Sequence, residues 1–115
     1  IFAFNKDLTY PTDTGFETGN GAIISEIENR LGLNIESFGK PDDYFVDYLE
    51  ANNIDLDFIV GDRLDTDIRL GSKLQIQTVL VKTGVYRDSD SIPKDLNPII
   101  LDDLSAVSEY LLFNK

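Results

Sequence analysis

An apolar strand, a short helix and a second apolar strand follow one another between residues 58 and 81, and this order leaves few folds open. Phe58-Ile59-Val60 reads as a strand, Asp65 to Lys73 as a helix, and Ile76 to Val81 as a strand that is apolar nearly throughout. A strand apolar on both faces belongs inside a parallel sheet with helices on either side. Strand, helix, strand at this spacing is a βαβ unit with a right-handed crossover. The alternation extends in both directions. Ile1-Phe2-Ala3-Phe4, Ile35 to Phe38 and Ile99 to Leu101 read as further short strands. Ala22 to Leu31 has helical spacing at Ile23, Ile24, Ile27 and Leu31 and stops at Gly32. Pro41-Asp42-Asp43 opens another helix, with Pro near its first position and an apolar face of Tyr44, Phe45, Tyr48 and Leu49. Asp102 to Phe113 is the last helix, with Leu104, Val107, Tyr110 and Leu111 on one side. Residues 5–20 read as turns. The expectation is an α/β fold with a parallel sheet, and a change of texture near Glu36 marks a boundary.

Composition narrows the chemistry. The 115 residues carry a net charge of −11, which disfavours nucleic acid and anionic membranes as partners. No apolar run approaches the roughly 20 residues that span a bilayer. There is no Cys and no His, so thiol nucleophiles, imidazole bases, thiolate or imidazole zinc sites and disulfides are all excluded. A metal held by oxygen alone would be hard, with Mg²⁺ the first choice. The chain lacks Met and begins at Ile1, so it reads as a processed or trimmed piece.

The acids concentrate in "FIVGDRLDTDIRLG", residues 58–71. In an open parallel sheet, ligands bind beyond the carboxyl ends of the strands. Asp62 stands at such an end, after Gly61, and Asp67 follows at the opening of the next helix. A cation could take one carboxylate directly and the other directly or through water. The plain alternative is helix capping, which accounts for Asp65 and competes evenly for Asp67. Arg63 can pair with a neighbouring acid. In "FGKPDD", Lys40 also follows a strand, where an ammonium beside Mg²⁺ would suit a phosphoryl group. Its alternative is an exposed loop lysine.

"GKP", then a helix and strand, "VGDRLDTDIRLG" and "TVLVKTGV" together resemble the haloacid dehalogenase (HAD) superfamily, and more narrowly its NagD-like, 4-nitrophenylphosphatase branch. "FAFNKDLTYPT" and "GNGAII" resemble the end of that branch's cap domain. The resemblance implies a three-layer Rossmann-like core, incomplete here, over residues 37–115, preceded by the tail of a cap over 1–36. It implies that Lys40 steadies the phosphate, that Asp62 binds Mg²⁺, that Asp67 supports the metal through its water shell, and that Asn5 and Asp7 lie near the substrate-choosing region. Asp65 falls on a variable position.

One departure is large. The family's nucleophile, the first Asp of an Asp-x-Asp motif, and its Ser or Thr motif both precede the cap. Asp55-Leu56-Asp57, Asp65-Thr66-Asp67 and Asp88-Ser89-Asp90 do not follow an apolar strand with the right sequel, and the nearest mimic, "IFAFNKDLT", puts Asn5 at the nucleophile position. The expectation is therefore a Mg²⁺-dependent phosphatase in a longer parent chain, with this piece inactive alone. Its partners would be a small phosphorylated metabolite and the N-terminal part of the same protein, with a homodimer as a further option and a cytoplasmic setting. Two other readings are a non-catalytic α/β module and a phosphate-binding relic with Asn5 as a dead nucleophile.

Overall fold

The structure, a computed structural model, describes residues 1–114. It divides into two compact units, Ile1–Asn53 and Ile54–Lys115.

In the first unit, β1 (Phe2–Ala3) pairs in parallel with β4 (Glu36–Ser37), Phe2 opposite Glu36 and Ala3 opposite Ser37. Residues 5–20, expected to be turns throughout, hold an antiparallel hairpin of β2 (Thr9–Thr12) and β3 (Gly15–Thr18). Both strands carry β-branched and aromatic residues, and Gly15, at φ 140°, supplies the backbone that closes the short loop. The hairpin faces solvent nearly throughout, so no apolar alternation announces it. Helix α1 (Asn20–Leu31) ends at Gly32, whose φ of 63° is the left-handed stop expected there.

Of the four apolar positions read on α1, only Ile24 is buried. It packs with Ala3 and Ile35, Ile27 packs partly against them, and Ile23 and Leu31 are exposed. Helix α2 (Asp43–Ala51) starts one residue after Asp42, its N-cap, so Pro41 precedes the cap instead of occupying the first turn. Leu49 is buried, whereas Tyr44 and Tyr48 are exposed. Tyr44 instead groups with Phe2 and Phe38, ring centres 5.1–5.7 Å apart.

In the second unit, three parallel strands lie in the order β5 (Phe58–Gly61), β6 (Gln77–Val81), β7 (Ile99–Leu101). Val60 is opposite Val79, and Val79 opposite Ile99. The central strand is buried on both faces, as its composition requires. Val79 and Val81 pack with Val107 of α4 (Leu104–Phe113), flanked by Val60, Ile99, Leu101 and Leu111. Leu80 faces the other way, into Ile68, Tyr86 and Leu96. This makes three layers: a helix, the sheet, and a second layer of helix and loop.

The helix expected over 65–73 is two pieces. A π-helical turn, Leu64–Ile68, runs into α3 (Arg69–Leu74). Ile68 N–H donates to the Arg63 carbonyl at 3.1 Å, one residue wider than an α-turn. The wide turn carries Thr66, Asp67 and Ile68 inward, and all three are buried. Gly71 lets α3 lie directly on β6, because a methyl group there would overlap the Thr78 side chain. The link from β6 to β7, residues 82–98, holds no helix.

Candidate functional site

Strand β5 ends at Gly61, and the next residues build the acidic centre of the second unit. Asp62 is half-buried and Asp67 is 5% exposed. The Asp67 carboxyl lies over the Gly61 α-carbon, where any Cβ would overlap it. Asp67 Oδ2 accepts the Arg63 backbone N–H at 3.3 Å. Asp62 Oδ2 accepts the Val85 N–H at 2.8 Å, and the Asp62 carbonyl accepts the Tyr86 N–H at 3.1 Å. Gly84 lies so close that a methyl group on it would occupy the place of Asp62 Oδ2.

Two glycines, Gly61 closing β5 and Gly84 following β6, thus make room for two carboxylates at the carboxyl ends of adjacent parallel strands. Hard oxygen donors packed against glycine backbone suit Mg²⁺. Among the described residues, no group of three or more His, Cys, Asp or Glu side chains gathers as a metal cage. The fit is to part of a coordination shell, as for an ion that keeps several waters and shares a substrate phosphate.

Asp65 behaves differently. It is exposed, and its Oδ1 lies 3.3 Å from Arg63 Nε, in the ion pair that the neighbouring charges suggested.

Lys40, Asn5 and Asp7 belong to the first unit. Lys40 is exposed in the turn after β4, next to Gly39 and joined to Pro41 by a cis peptide bond. Gly39 packs on the loop after β1. A Cβ there would lie 2.8 Å from the Phe4 carbonyl and 3.2 Å from Asn5 Cβ. The loops bearing Asn5 and Lys40 therefore leave neighbouring parallel strands side by side.

The Asn5–Asp7 loop is fastened to the start of α1. Gly21 N–H donates to the Asp7 carbonyl at 2.8 Å, Gly19 N–H to the Leu8 carbonyl at 2.8 Å, and Asn20 Nδ2 to the Asn5 carbonyl at 2.8 Å. The two glycine bonds use backbone N–H groups that a helix start leaves without intrahelical partners. Asp7 N–H reaches Asn5 Oδ1 at 3.3 Å. Lys6 Nζ bonds Glu28 Oε1 at 2.8 Å, and the same oxygen accepts the Ile35 N–H at 2.7 Å. Both contacts hold the Glu28 carboxyl below its ordinary pKa, the Lys6 hydrogen bond most strongly.

Sequence reasoning passed over Gly84, the Val85 amide and the Gly19–Gly21 clamp. The available signal was positional: Gly84 follows β6 in "VKTGV" much as Gly61 closes β5, and a glycine beyond a parallel strand marks a close approach.

Comparison with known proteins agrees with this architecture. Residues 37–107 match the model of the HAD-hydrolase-like family. An acid sugar phosphatase of Staphylococcus saprophyticus is 36% identical over 108 residues, covering 84% of this chain and 42% of the relative. The glycerol phosphate phosphatase of Mycobacterium tuberculosis, solved with magnesium, superposes with a TM-score of 0.72 at 29% identity, over 90% of this chain and 32% of that one. The p-nitrophenyl phosphatase of Archaeoglobus fulgidus gives a TM-score of 0.72 at 28% identity, over 91% of this chain and 44% of that one. The chain spans less than half the length of each of these relatives. The order of its elements, its incomplete Rossmann-like core and its match over residues 37–107 establish that the chain belongs to the HAD-hydrolase-like family.

Proposed function

We propose that this chain is the C-terminal part of a Mg²⁺-dependent phosphatase that hydrolyses a small phosphomonoester. In this reading, residues 1–36 end a cap domain and 37–115 form the C-terminal half of the core. The observation that carries it is the pair Asp62 and Asp67, set after β5 with Asp67 packed on Gly61 and Asp62 on Gly84. The phosphatase names of the relatives support the same reaction class.

Asp62 would hold Mg²⁺ directly and Asp67 through its water shell. Bound there, the ion supplies positive charge to the phosphoryl oxygens. The Lys40 ammonium would donate to the same phosphate and balance charge that develops on it. Asn5 and Asp7 would face the substrate's organic part. An aspartate on another part of the parent would attack phosphorus, break the ester P–O bond and release the alcohol. Water would then hydrolyse the aspartyl-phosphate to free phosphate and carboxylate. The protein would work in the cytoplasm, as a single copy or a homodimer. Among the described residues, no helix is long and apolar enough to cross a membrane.

The test is turnover of 4-nitrophenyl phosphate by the full-length parent with and without Mg²⁺. Mg²⁺-dependent release of nitrophenolate is expected, and turnover indifferent to Mg²⁺ would count against the assignment.

A further inference from the structure

Asp62 is held from outside its own strand. Its side chain and its carbonyl both accept N–H groups of the segment that follows β6, from Val85 and Tyr86. That segment is a closed loop. Its first residue, Lys82, donates its backbone N–H to the Leu101 carbonyl at 3.1 Å and the Asp102 carbonyl at 3.2 Å, which ties it to the end of β7. The Lys82 ammonium reaches Asp88 Oδ1 at 3.3 Å and Asp102 Oδ1 at 3.4 Å, joining the far end of the loop to its start and to β7. Within the loop, Arg87 Nη1 donates to the Gly84 and Tyr86 carbonyls. Tyr86 is buried against Ile68, Leu80 and Leu96. The loop is therefore fixed at both ends and in its middle, and its point of closest approach to Asp62 is Gly84.

We infer that residues 82–88 form an orienting loop for Asp62, with Gly84 and Lys82 as its positioning residues. The inference rests on the reading of Asp62 as a cation ligand and extends it to residues that touch no ion. Gly84 gives the carboxylate its space, and the Val85 amide fixes Oδ2. Lys82 closes the loop and so sets where that amide sits. Partners that orient a metal ligand typically change metal affinity by about 10–100-fold when removed. A half-exposed ion pair contributes less, about two- to fivefold on an equilibrium constant.

The experiment uses the ¹⁵N-labelled full-length parent and Mn²⁺ alone as a paramagnetic probe, read at the amides of this chain. In the wild type, Mn²⁺ should broaden the amides of residues 61–63 and 84–86 first. Gly84→Ala should weaken that effect by about 10–100-fold. Lys82→Met should weaken it by about two- to fivefold, with Lys82→Arg restoring much of the loss. Before any metal is added, the Val85 amide of Lys82→Met should shift upfield as its bond to Asp62 loosens, while resonances of α3 stay in place. If Gly84→Ala fails to fold, the Lys82 variants and the Val85 amide carry the test. Wild-type affinity and an unmoved Val85 amide in Lys82→Met, or wild-type affinity in a folded Gly84→Ala, would overturn the orienting loop alone. No localised broadening in the wild type would overturn the cation site and the loop with it.

Discussion

Asp62 and Asp65 are three residues apart, carry the same carboxyl, and should respond differently to the same change. Asp62 sits against Gly84 and accepts an amide from across the sheet, whereas Asp65 is exposed and paired with Arg63. On the proposed reading, Asp62→Asn in the full-length parent should nearly abolish turnover, because an amide is a poor ligand for a hard dication. Asp65→Asn should leave turnover near wild type. Steady-state kinetics of both folded variants decide it, and equal losses would contradict the assignment. Lys40→Ala should lower kcat by about 10²–10³ with little change in melting temperature, since an exposed turn lysine fills no core. Lys40→Arg should recover little of that loss, because the planar guanidinium replaces a compact ammonium poorly. The places of Asp62 and Lys40 just after strands were legible in sequence because apolar runs precede both. Gly84 was not, because its role exists only once β5 and β6 lie side by side and bring residue 84 against residue 62.

Strands and helices that bury apolar surface were readable, the solvent-facing hairpin was missed, and the π-turn was read as the start of an ordinary helix. β6 was visible from its apolar run because both its faces pack, with Val79 and Val81 on one side and Leu80 on the other. Leu80→Ala should therefore destabilise the fold by about 2–5 kcal/mol in denaturant melts, as for a fully enclosed leucine. A cost below about 1 kcal/mol would mean that the second layer is loosely packed. The β2–β3 hairpin escaped notice because its pairing is set by backbone bonds and by surface pairs such as Tyr10 with Glu17, joined at 2.7 Å. The π-turn escaped because its sequence, Leu64 to Ile68, fits an α-helix equally well, and the difference lies in how Asp67 meets Gly61. At this scale the Glu28 clamp gives a pH prediction. Its carboxyl titrates below the ordinary 4.5 because the Lys6 ammonium and the Ile35 N–H favour the charged form. A lowered native pKa adds stability above the unfolded value and loses it as pH falls through the native one. The Ile35 amide of the wild type should thus hold its position at pH 5 and move as the solution is acidified below the ordinary glutamate range. Glu28→Gln should remove that transition. An Ile35 amide that titrates identically in both would show that another acid controls it.

At the scale of the whole chain, the question is whether the groups present suffice for chemistry. Binding groups for a phosphate and a hard cation can orient a phosphomonoester, but the covalent route needs a carboxylate placed to attack phosphorus. The Asp-x-Asp runs occupy other places. Asp55 and Asp57 lie at the entry to β5, the end opposite Gly61. Asp65 and Asp67 belong to the π-turn, one paired with Arg63 and the other pressed on Gly61. Asp88 is tied to Lys82, and Asp90 accepts the Arg87 N–H at 2.8 Å. Asn5, the residue after β1 that best mimics the nucleophile's position, carries an amide that does not attack phosphorus. Asn5→Asp would add a carboxylate, but the loop is clamped by Asn20, Gly21 and the Lys6–Glu28 pair in a shape set by α1, not by an in-line attack. The 115-residue chain is therefore expected to leave 4-nitrophenyl phosphate intact, with or without Mg²⁺, and Asn5→Asp is expected not to create activity. Nitrophenolate release at 405 nm, followed on a preparation whose intact mass shows this chain alone, measures both. Mg²⁺-dependent turnover by the wild-type chain would mean that a carboxylate within these residues reaches phosphorus. Turnover by Asn5→Asp alone would instead make the loop after β1 a disabled nucleophile site, and the phosphate-binding relic would then be the better reading of this protein.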